Sequence, residues 1–370
     1  MKLASYNVEN LFERAVAMDQ ESWAAGKEAL ALHAELNQIL GKIGYTASDK
    51  ARIVAILKEL GLEKKDDGGD FAILRQNRGH LIKRPKIGPI QVVADGRGDW
   101  IGWLDLKIGP VNEFSVRNTG RVIGDVNADV VALIEAESRP ALVHFGDVIM
   151  PAVGGKPYAH VMLIDGNDDR GIDVAIMTKA KYEIESIVSH VDDTDSKGEV
   201  FSRDCPVYFI RTPSSRRLVV LVNHLKSKGF GSQESSNDKR ERQAKQIKKI
   251  YMALRSAGEK FVAVVGDFND TPDSKPLRPI LQQTDLKDIF VHPNFDDGGR
   301  PGTFGTCAKG NKIDYILLSP ELFANVTAGG VFRMGLWGGV NGTIFPHYPE
   351  IERAAEAASD HAAVWADISL

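Results

Sequence analysis

The sequence predicts an α/β protein built as two packed, mainly antiparallel β-sheets flanked by helices, with one inserted subdomain. Three observations carry that expectation. Strand-like apolar runs recur along most of the chain, only a couple of helical stretches separate them, and between residues 14 and 118 the rhythm breaks.

The first run, KLASYN, begins almost at residue 1, and the insertion follows it. Within the insertion, AAGKEALALHAELNQIL and SDKARIVAILKELG have the apolar spacing of amphipathic helices, the second with Ser48 or Asp49 as N-cap. KKDDGGD reads as a solvated loop. FAILRQNRGHLIKR and IQVVADGRGDWIGWLDLKI each set a turn cluster between strand-like arms, so each is a candidate hairpin. The main body resumes at 119. GRVIGDVNAD reads as a short helix, and VVALIEA, IDVAIMT, VYFIRT and RLVVLVNHL read as buried strands. In the long helix expected over 237–258, Gln243, Ile247, Ile250 and Leu254 form one stripe while Lys and Arg cover the rest. FVAVVGDFN, KIDYILLS and AAVWADI complete the strands. The chain shows no internal repeat and no low-complexity tract.

Hydrophobic content of 43% with 26% charged residues excludes wholesale disorder in this 370-residue chain. The net charge of −4 provides no global positive field, so any affinity for nucleic acid must come from local patches. No apolar run approaches the ~18–20 residues that cross a bilayer. The start, MKLASYNVENLF, is a poor signal peptide, so the expectation is a cytoplasmic protein with no membrane partner. Cys205 and Cys307 are too few to frame a metal site and read as buried free thiols.

The chemistry lies at the ends of the strands. VAVVGDFNDTP, residues 262–272, passes from apolar strand to Asp267 and Asn269, two residues apart and so on one face, with Phe268 on the other. Gly266 permits an unusual backbone angle or a close approach there. Alone, this pair reads as turn capping ahead of catalysis. The event recurs, however: strands end at Asn7, at Glu135, and at Asn223 with His224, Asp314 interrupts KIDYILL, and Asp360 with His361 precedes the last strand. Buried acids are costly unless paired, hydrogen-bonded or bound to a cation, so convergence on one pocket is the simpler account.

The ordered set Asn7, Glu135, His224, GDFN with Asp267 and Asn269, Asp314, and SDH with Asp360 and His361 resembles the endonuclease/exonuclease/phosphatase superfamily. The resemblance runs through residues 1–13 and 119–370, and leaves 14–118 as a subdomain of two helices and β-hairpins outside the common core. It implies a deoxyribonuclease I-like four-layered α/β sandwich, and an enzyme dependent on Mg²⁺ or Mn²⁺, cations that suit hard oxygen ligands. Glu135 and Asp360 are then the expected metal ligands, with Asn7 close by. Asp267 orients or deprotonates water, and Asn269 holds the phosphate or the nucleophile. His361, oriented by Asp314, contacts the scissile phosphate as base or charge stabiliser, and His224 protonates the leaving oxygen. The assignment of acid and base stays open at this point.

Such folds act on DNA, RNA, phospholipid head groups and inositol phosphates. NHLKSKGFGS puts Lys226 and Lys228 just beyond His224, where with Asn223 they are candidate substrate contacts. Arg170 in DDRGIDVAIM is either a phosphate contact or simply exposed. RQNRGHLIKRPK gathers Arg75, Arg78, Lys83, Arg84 and Lys86 within the insertion, which acts as a clamp, as a lid or as an oligomer contact. Trp100, Trp103 and Trp337 either stack on bases or pack in cores. DGNDD, 165–169, reads as a solvated loop. The expected activity is hydrolysis of DNA, or of RNA, as an endonuclease. The alternatives are a phosphatase or phospholipase-type enzyme and a non-catalytic nucleic-acid-binding member of the fold. Oligomeric state is not legible.

Overall fold

A computed structural model describes residues 1–370 except 19, 21, 22, 169 and 229–231, and the side chains of 23–25 also lie outside the description. The chain divides into two compact units. One comprises Met1–Phe12, Val111–Lys228 and Ser232–Leu370, and the other comprises Glu13–Pro110.

The first unit holds thirteen strands of its two main sheets among the described residues: β1 (Lys2–Asn7), β2 (Val130–Ala136), β3 (His160–Ile164), β4 (Asp173–Thr178), β5 (Glu183–Val188), β6 (Val207–Arg211), β7 (Arg217–His224), β8 (Phe261–Asp267), β9 (Lys287–Asp288), β10 (Phe295–Asp296), β11 (Asp314–Leu318), β12 (Val326–Phe332) and β13 (Ala363–Ile368). One sheet has the order β10-β12-β13-β1-β2-β4-β3, and the other β5-β6-β7-β8-β11-β9. All eight apolar runs read from the sequence are strands of these sheets. Strands β3, β5 and β12 escaped that reading because β3 alternates in burial, β5 is largely exposed and β12 carries Gly329 and Gly330, so each lacks a continuous apolar signal.

Residue parity sorts the side chains into layers. Leu3, Val130, Ala132 and Ile134 of one sheet and Val220, Val222, Val265 and Ile316 of the other share a core between the sheets. On the outer face of the first sheet, helix α1 (Glu113–Val126) buries Val116, Val122, Ile123 and Val126 against Ala4, Tyr6, Val131 and Leu133. On the outer face of the second, α2 (Gln233–Ser256) buries Ala244, Ile247, Ile250 and Tyr251 against Val219, Leu221, Val264 and Leu317. Each such aliphatic side chain contributes about 1.5–3 kcal/mol when fully buried. The result is the expected four-layered α/β/β/α sandwich. Helix α1 starts earlier than the 120–129 segment because the Asn112 side chain accepts from the Phe114 amide as N-cap. The boundary read at 118 therefore falls inside this helix, and the second unit closes at Pro110. Both cysteines are free and buried.

The second unit contains helices Trp23–Leu40 and Ala47–Glu59. Thr46, rather than Ser48 or Asp49, caps the latter, with Asp49 closing a capping box at N3. The two candidate hairpins do not form. Residues 72–78 pair with 101–106, and 82–83 pair with 91–92, so the arms nest as one interrupted ribbon. Gly102 permits it, since a Cβ there would lie 1.9 Å from the Arg75 carbonyl oxygen. Trp100 is core, its indole N–H donating to the Tyr45 hydroxyl at 3.0 Å, whereas Trp103 is 43% exposed. Within the loop KKDDGGD, Asp66 is tied to Arg84 at 2.7 Å.

Candidate active site

Strand register alone gathers most of the polar strand ends at one edge of the sandwich. In the second sheet His224 pairs with Asp267 across parallel β7 and β8, and Asp267 pairs with Asp314 across antiparallel β8 and β11. In the first sheet Asn7 ends β1 beside Ile134 of parallel β2, while antiparallel β13 begins just after His361. Asn7, His224, Asp267 and Asp314 have the parity of the inter-sheet core and so point between the sheets.

Glu135 does not have that parity. Counting from Leu133, it belongs on the outer face of its sheet. A β-bulge redirects it: Val174 faces Ile134 and Asp173 faces Ala136, leaving Glu135 unpaired with φ of 65°. A glutamate in this left-handed region costs about 1–3 kcal/mol, a strain of the kind that persists at functional sites. Gly266 has φ of 132°, and a Cβ there would sit 1.9 Å from the Asn223 carbonyl oxygen, so only glycine allows β7 and β8 to meet at the catalytic end.

The contacts run continuously from Glu135 to Asp360. Asn7 Nδ2 donates to Glu135 Oε1 and to Asp267 Oδ2, both at 3.3 Å. His224 Nε2 lies 3.5 Å from Glu135 Oε1 and 3.7 Å from Asp267 Oδ2. His361 Nε2 lies 3.9 Å from Asp267 Oδ2 and 3.7 Å from Asp360 Oδ1, and its Nδ1 donates to Asp314 Oδ2 at 2.9 Å. Thr303, which the sequence reading missed, donates its hydroxyl to Asp314 Oδ2 at 2.6 Å and fixes that carboxylate. Asn269 joins Asp267 through a left-handed residue (φ 54°) rather than through strand alternation. Its backbone N–H and Nδ2 both donate to the Asp267 carboxylate, at 2.8 and 3.1 Å. Phe268 packs away from the site, stacked on Tyr315.

The electrostatics separate the two histidines. Burial works against a charged His361, yet the Asp314 carboxylate overcomes it and holds the imidazole well above its ordinary value. Burial pushes His224 well below its ordinary value, and the Arg203 and Arg170 guanidiniums add to the shift. Burial and the neighbouring Asp314 push Asp267 up to about 7.

Arg170 is not simply exposed. Its Nε and Nη2 grip both oxygens of Asp168, at 2.8 and 2.6 Å, and its charge reaches Glu135. Arg203, absent from the sequence reading, is buried with Nη1 at 3.0 Å from Asp168. The signal for it was a charged pair inside the apolar stretch VFSRDCPVYF. Asp168 thus overturns the solvated-loop reading of 165–169, of which Asp169 lies outside the described residues. Burial, Arg170 and Arg203 push Lys226 down to about 8, which places it in the same cationic group.

Two expected substrate contacts lie elsewhere. Asn223 has the opposite parity to His224 and is 1% exposed, with Nδ2 donating to the Leu221 and Val265 carbonyls. Lys228 is held 2.6 Å from Asp270, which also binds Arg240 of α2. Gly229, Phe230 and Gly231 of NHLKSKGFGS are outside the described residues.

The donor set suits a hard divalent cation. Two carboxylates, Glu135 and Asp267, converge on the Asn7 carboxamide, and Asp360 adds a third beyond His361. Among the described residues, Asp267, Asp314 and His361 also bring one donor each within 4.8 Å of one another. Asp314 is already engaged by His361 and Thr303, so that trio is better described as a hydrogen-bonded acid–imidazole pair facing a second acid.

The sequence model of the Endonuclease/Exonuclease/phosphatase family matches residues 112–361. No curated protein matches the sequence. Among solved structures, a mannosyl-6-phosphatase from Bacteroides thetaiotaomicron VPI-5482 is similar at 16% identity and TM-score 0.50, covering 70% of this chain and 92% of its own. The human Nocturnin catalytic domain with bound sulfate is similar at 14% and 0.48, covering 70% and 87%. Truncated TDP2 from Caenorhabditis elegans is similar at 14% and 0.47, covering 68% and 90%.

Proposed function

Since the chain belongs to the endonuclease/exonuclease/phosphatase family, whose members are hydrolases, we propose that it hydrolyses phosphodiesters of nucleic acid, DNA foremost, by in-line attack of water. The observation that carries this reading is Asp267 set between two histidines of opposite protonation state. Groups whose environments drive their pKa values apart mark an acid–base division of labour.

Asp267, oriented by the Asn269 amide and carboxamide and by Asn7, takes the proton of the attacking water. His361, kept cationic by Asp314, donates to a non-bridging phosphate oxygen and stabilises the charge that develops there. His224, neutral at this edge, faces Glu135 and Asp267 from 3.5 and 3.7 Å and does not carry a proton to the leaving oxygen. This reverses its expected part. Glu135 with Asn7 on one side, and Asp360 on the other, are the residues that would hold Mg²⁺ or Mn²⁺. Bound there, such a cation would polarise a phosphoryl oxygen and lower the pKa of neighbouring acids. Arg170 and Lys226 supply the local positive potential that the net charge of −4 does not. Among the described residues no helix is long and apolar enough to cross a membrane.

A small phosphomonoester is the second reading, favoured by that same cationic group, which suits a dianion. The deciding test offers supercoiled plasmid, bis(nitrophenyl) phosphate and nitrophenyl phosphate with Mg²⁺ or Mn²⁺, against Asp267→Asn. Nicking of plasmid and cleavage of the diester, both lost in the variant, are expected. Monoester cleavage without diester cleavage would transfer the reading to a phosphatase, and equal rates in wild type and variant would end both.

A further inference from the structure

The parallel strands β7 and β8 end together at His224 and Asp267, and the Leu225 N–H still donates to the Asp267 carbonyl at 2.9 Å. Past that point side chains join the two emerging segments. Asn269 Nδ2 donates to the Leu225 carbonyl at 3.1 Å, and Lys228 Nζ lies 2.6 Å from Asp270 Oδ1. Asp270 is buried, and its own carbonyl accepts from the Tyr315 hydroxyl of β11 at 2.8 Å.

Helix α2 closes this join with Arg240, which is fully buried. Its Nε donates to Asp270 Oδ2 at 3.0 Å, its Nη1 to the Lys226 carbonyl at 2.6 Å and its Nη2 to Asn237 Oδ1 at 2.6 Å. One turn along the helix, Gln243 Oε1 accepts from the Lys226 N–H at 2.9 Å. The helix therefore grips both backbone groups of Lys226 and the Asp270 carboxylate at once. Burial pushes the Arg240 pKa down, opposed first by Asp270 and then by Asp267. A buried ion pair adds little to stability over apolar side chains of the same volume, so stability alone does not account for this one beside the reacting carboxylate.

Asn269 lies between the points that Arg240 ties together, and it is the residue whose amide and carboxamide orient Asp267. Its left-handed backbone is a conformation that a non-glycine residue keeps only where its surroundings impose it. We propose that Arg240 is a positioning residue: by bridging the Asp270 carboxylate and the Lys226 carbonyl, it holds the Asn269 turn against Leu225 and so fixes the direction of the Asp267 carboxylate. The inference rests on the proposed hydrolysis for its kinetic readout, and on amide exchange for a readout that needs no reaction.

The test uses the full chain. Arg240→Ala strands Asp270 without its buried partner, whereas Arg240→Met/Asp270→Leu removes the pair at similar volume and is expected to melt close to wild type. In that double variant kcat for bis(nitrophenyl) phosphate is expected to fall about 10²-fold with KM little changed, the scale of a group displaced by about 1 Å. The amides of Leu225 and Asn269 are expected to lose protection from hydrogen exchange while those of Val264 and Val265 keep it. Arg240→Lys, with one ammonium in place of the fork, is expected to lose more rate than Asp270→Asn, which keeps an oxygen for Nε. These two variants decide by the same readouts if the double variant does not fold. Wild-type kcat in a folded double variant, unchanged exchange at Asn269, or a loss in Asp270→Asn as large as in Arg240→Lys would each overturn the proposal. If wild type cleaves no phosphoester, the proposed function falls, and exchange at Leu225 and Asn269 alone decides this inference.

Discussion

His361 and His224 occupy the same edge, are both buried, and both approach Asp267 within 4 Å. They differ in what stands behind them. Behind His361 is a carboxylate, itself fixed by Thr303, and behind His224 are two guanidiniums that share one acid. Identical side chains at similar depth are thereby driven in opposite directions, one toward the neutral imidazole and the other toward the cation. The surroundings, not the residue type, decide which histidine carries the proton.

The sharpest way to break the comparison is Asp267→Asn, which removes the group between the two histidines. Hydrolysis of bis(nitrophenyl) phosphate is expected to fall by roughly 10²–10⁴-fold in kcat, the range for a lost general base. A fall below tenfold would remove Asp267 from the chemistry. Next in size is Asp314→Asn, expected to lower kcat/KM by about 10²-fold near neutrality. It should also move the alkaline limb of the pH profile downward. The sign follows from the raised pKa of His361: with Asp314 present the imidazolium persists above its usual range, and without it the proton is lost sooner as pH rises. An alkaline limb that stays in place would show that His361 charge does not matter. On the other side, His224→Gln keeps a hydrogen-bond donor and is expected to cost only about tenfold. A loss as large as that of Asp314→Asn would mean that His224 carries a proton after all.

The smallest effect concerns stability. Burial pushes the Asp173 carboxyl up to about 7, partly offset by the Gly166 N–H. The folded state therefore binds this proton more tightly than the unfolded chain, and the stability it lends is lost as pH rises from about 4 to about 7. Asp173→Asn should gain about 1–2 kcal/mol relative to wild type across that window, read from urea unfolding at pH 4.5 and 7.5. An unchanged difference between the two pH values would contradict the shift.

Much of this arrangement was legible in the sequence because period-two alternation is a local property. The apolar runs placed the strands, and their polar ends named Asp267 and His224, whose common face follows from counting on from the core residues Val265 and Val222. Glu135 was recognised by its place at a strand end, but its direction depends on an extra residue facing β4, which no count along β2 can show. Arg203 and Asp168 are far apart in the chain and meet only through loop packing, so neither carries a motif. The insertion misled for the same reason. Each turn cluster looked like the tip of a hairpin, whereas the pairing joins 72–78 to 101–106 across a long excursion.

The left-handed backbone at Glu135 bears on how variants of this protein should be screened. A glycine there would relax the bulge and remove the side chain in one change, so a selection that rewards only robust folding would favour the disabled enzyme. Libraries sorted by expression or melting temperature would therefore drift toward silent scaffolds at this position. Sorting must include turnover from the first round.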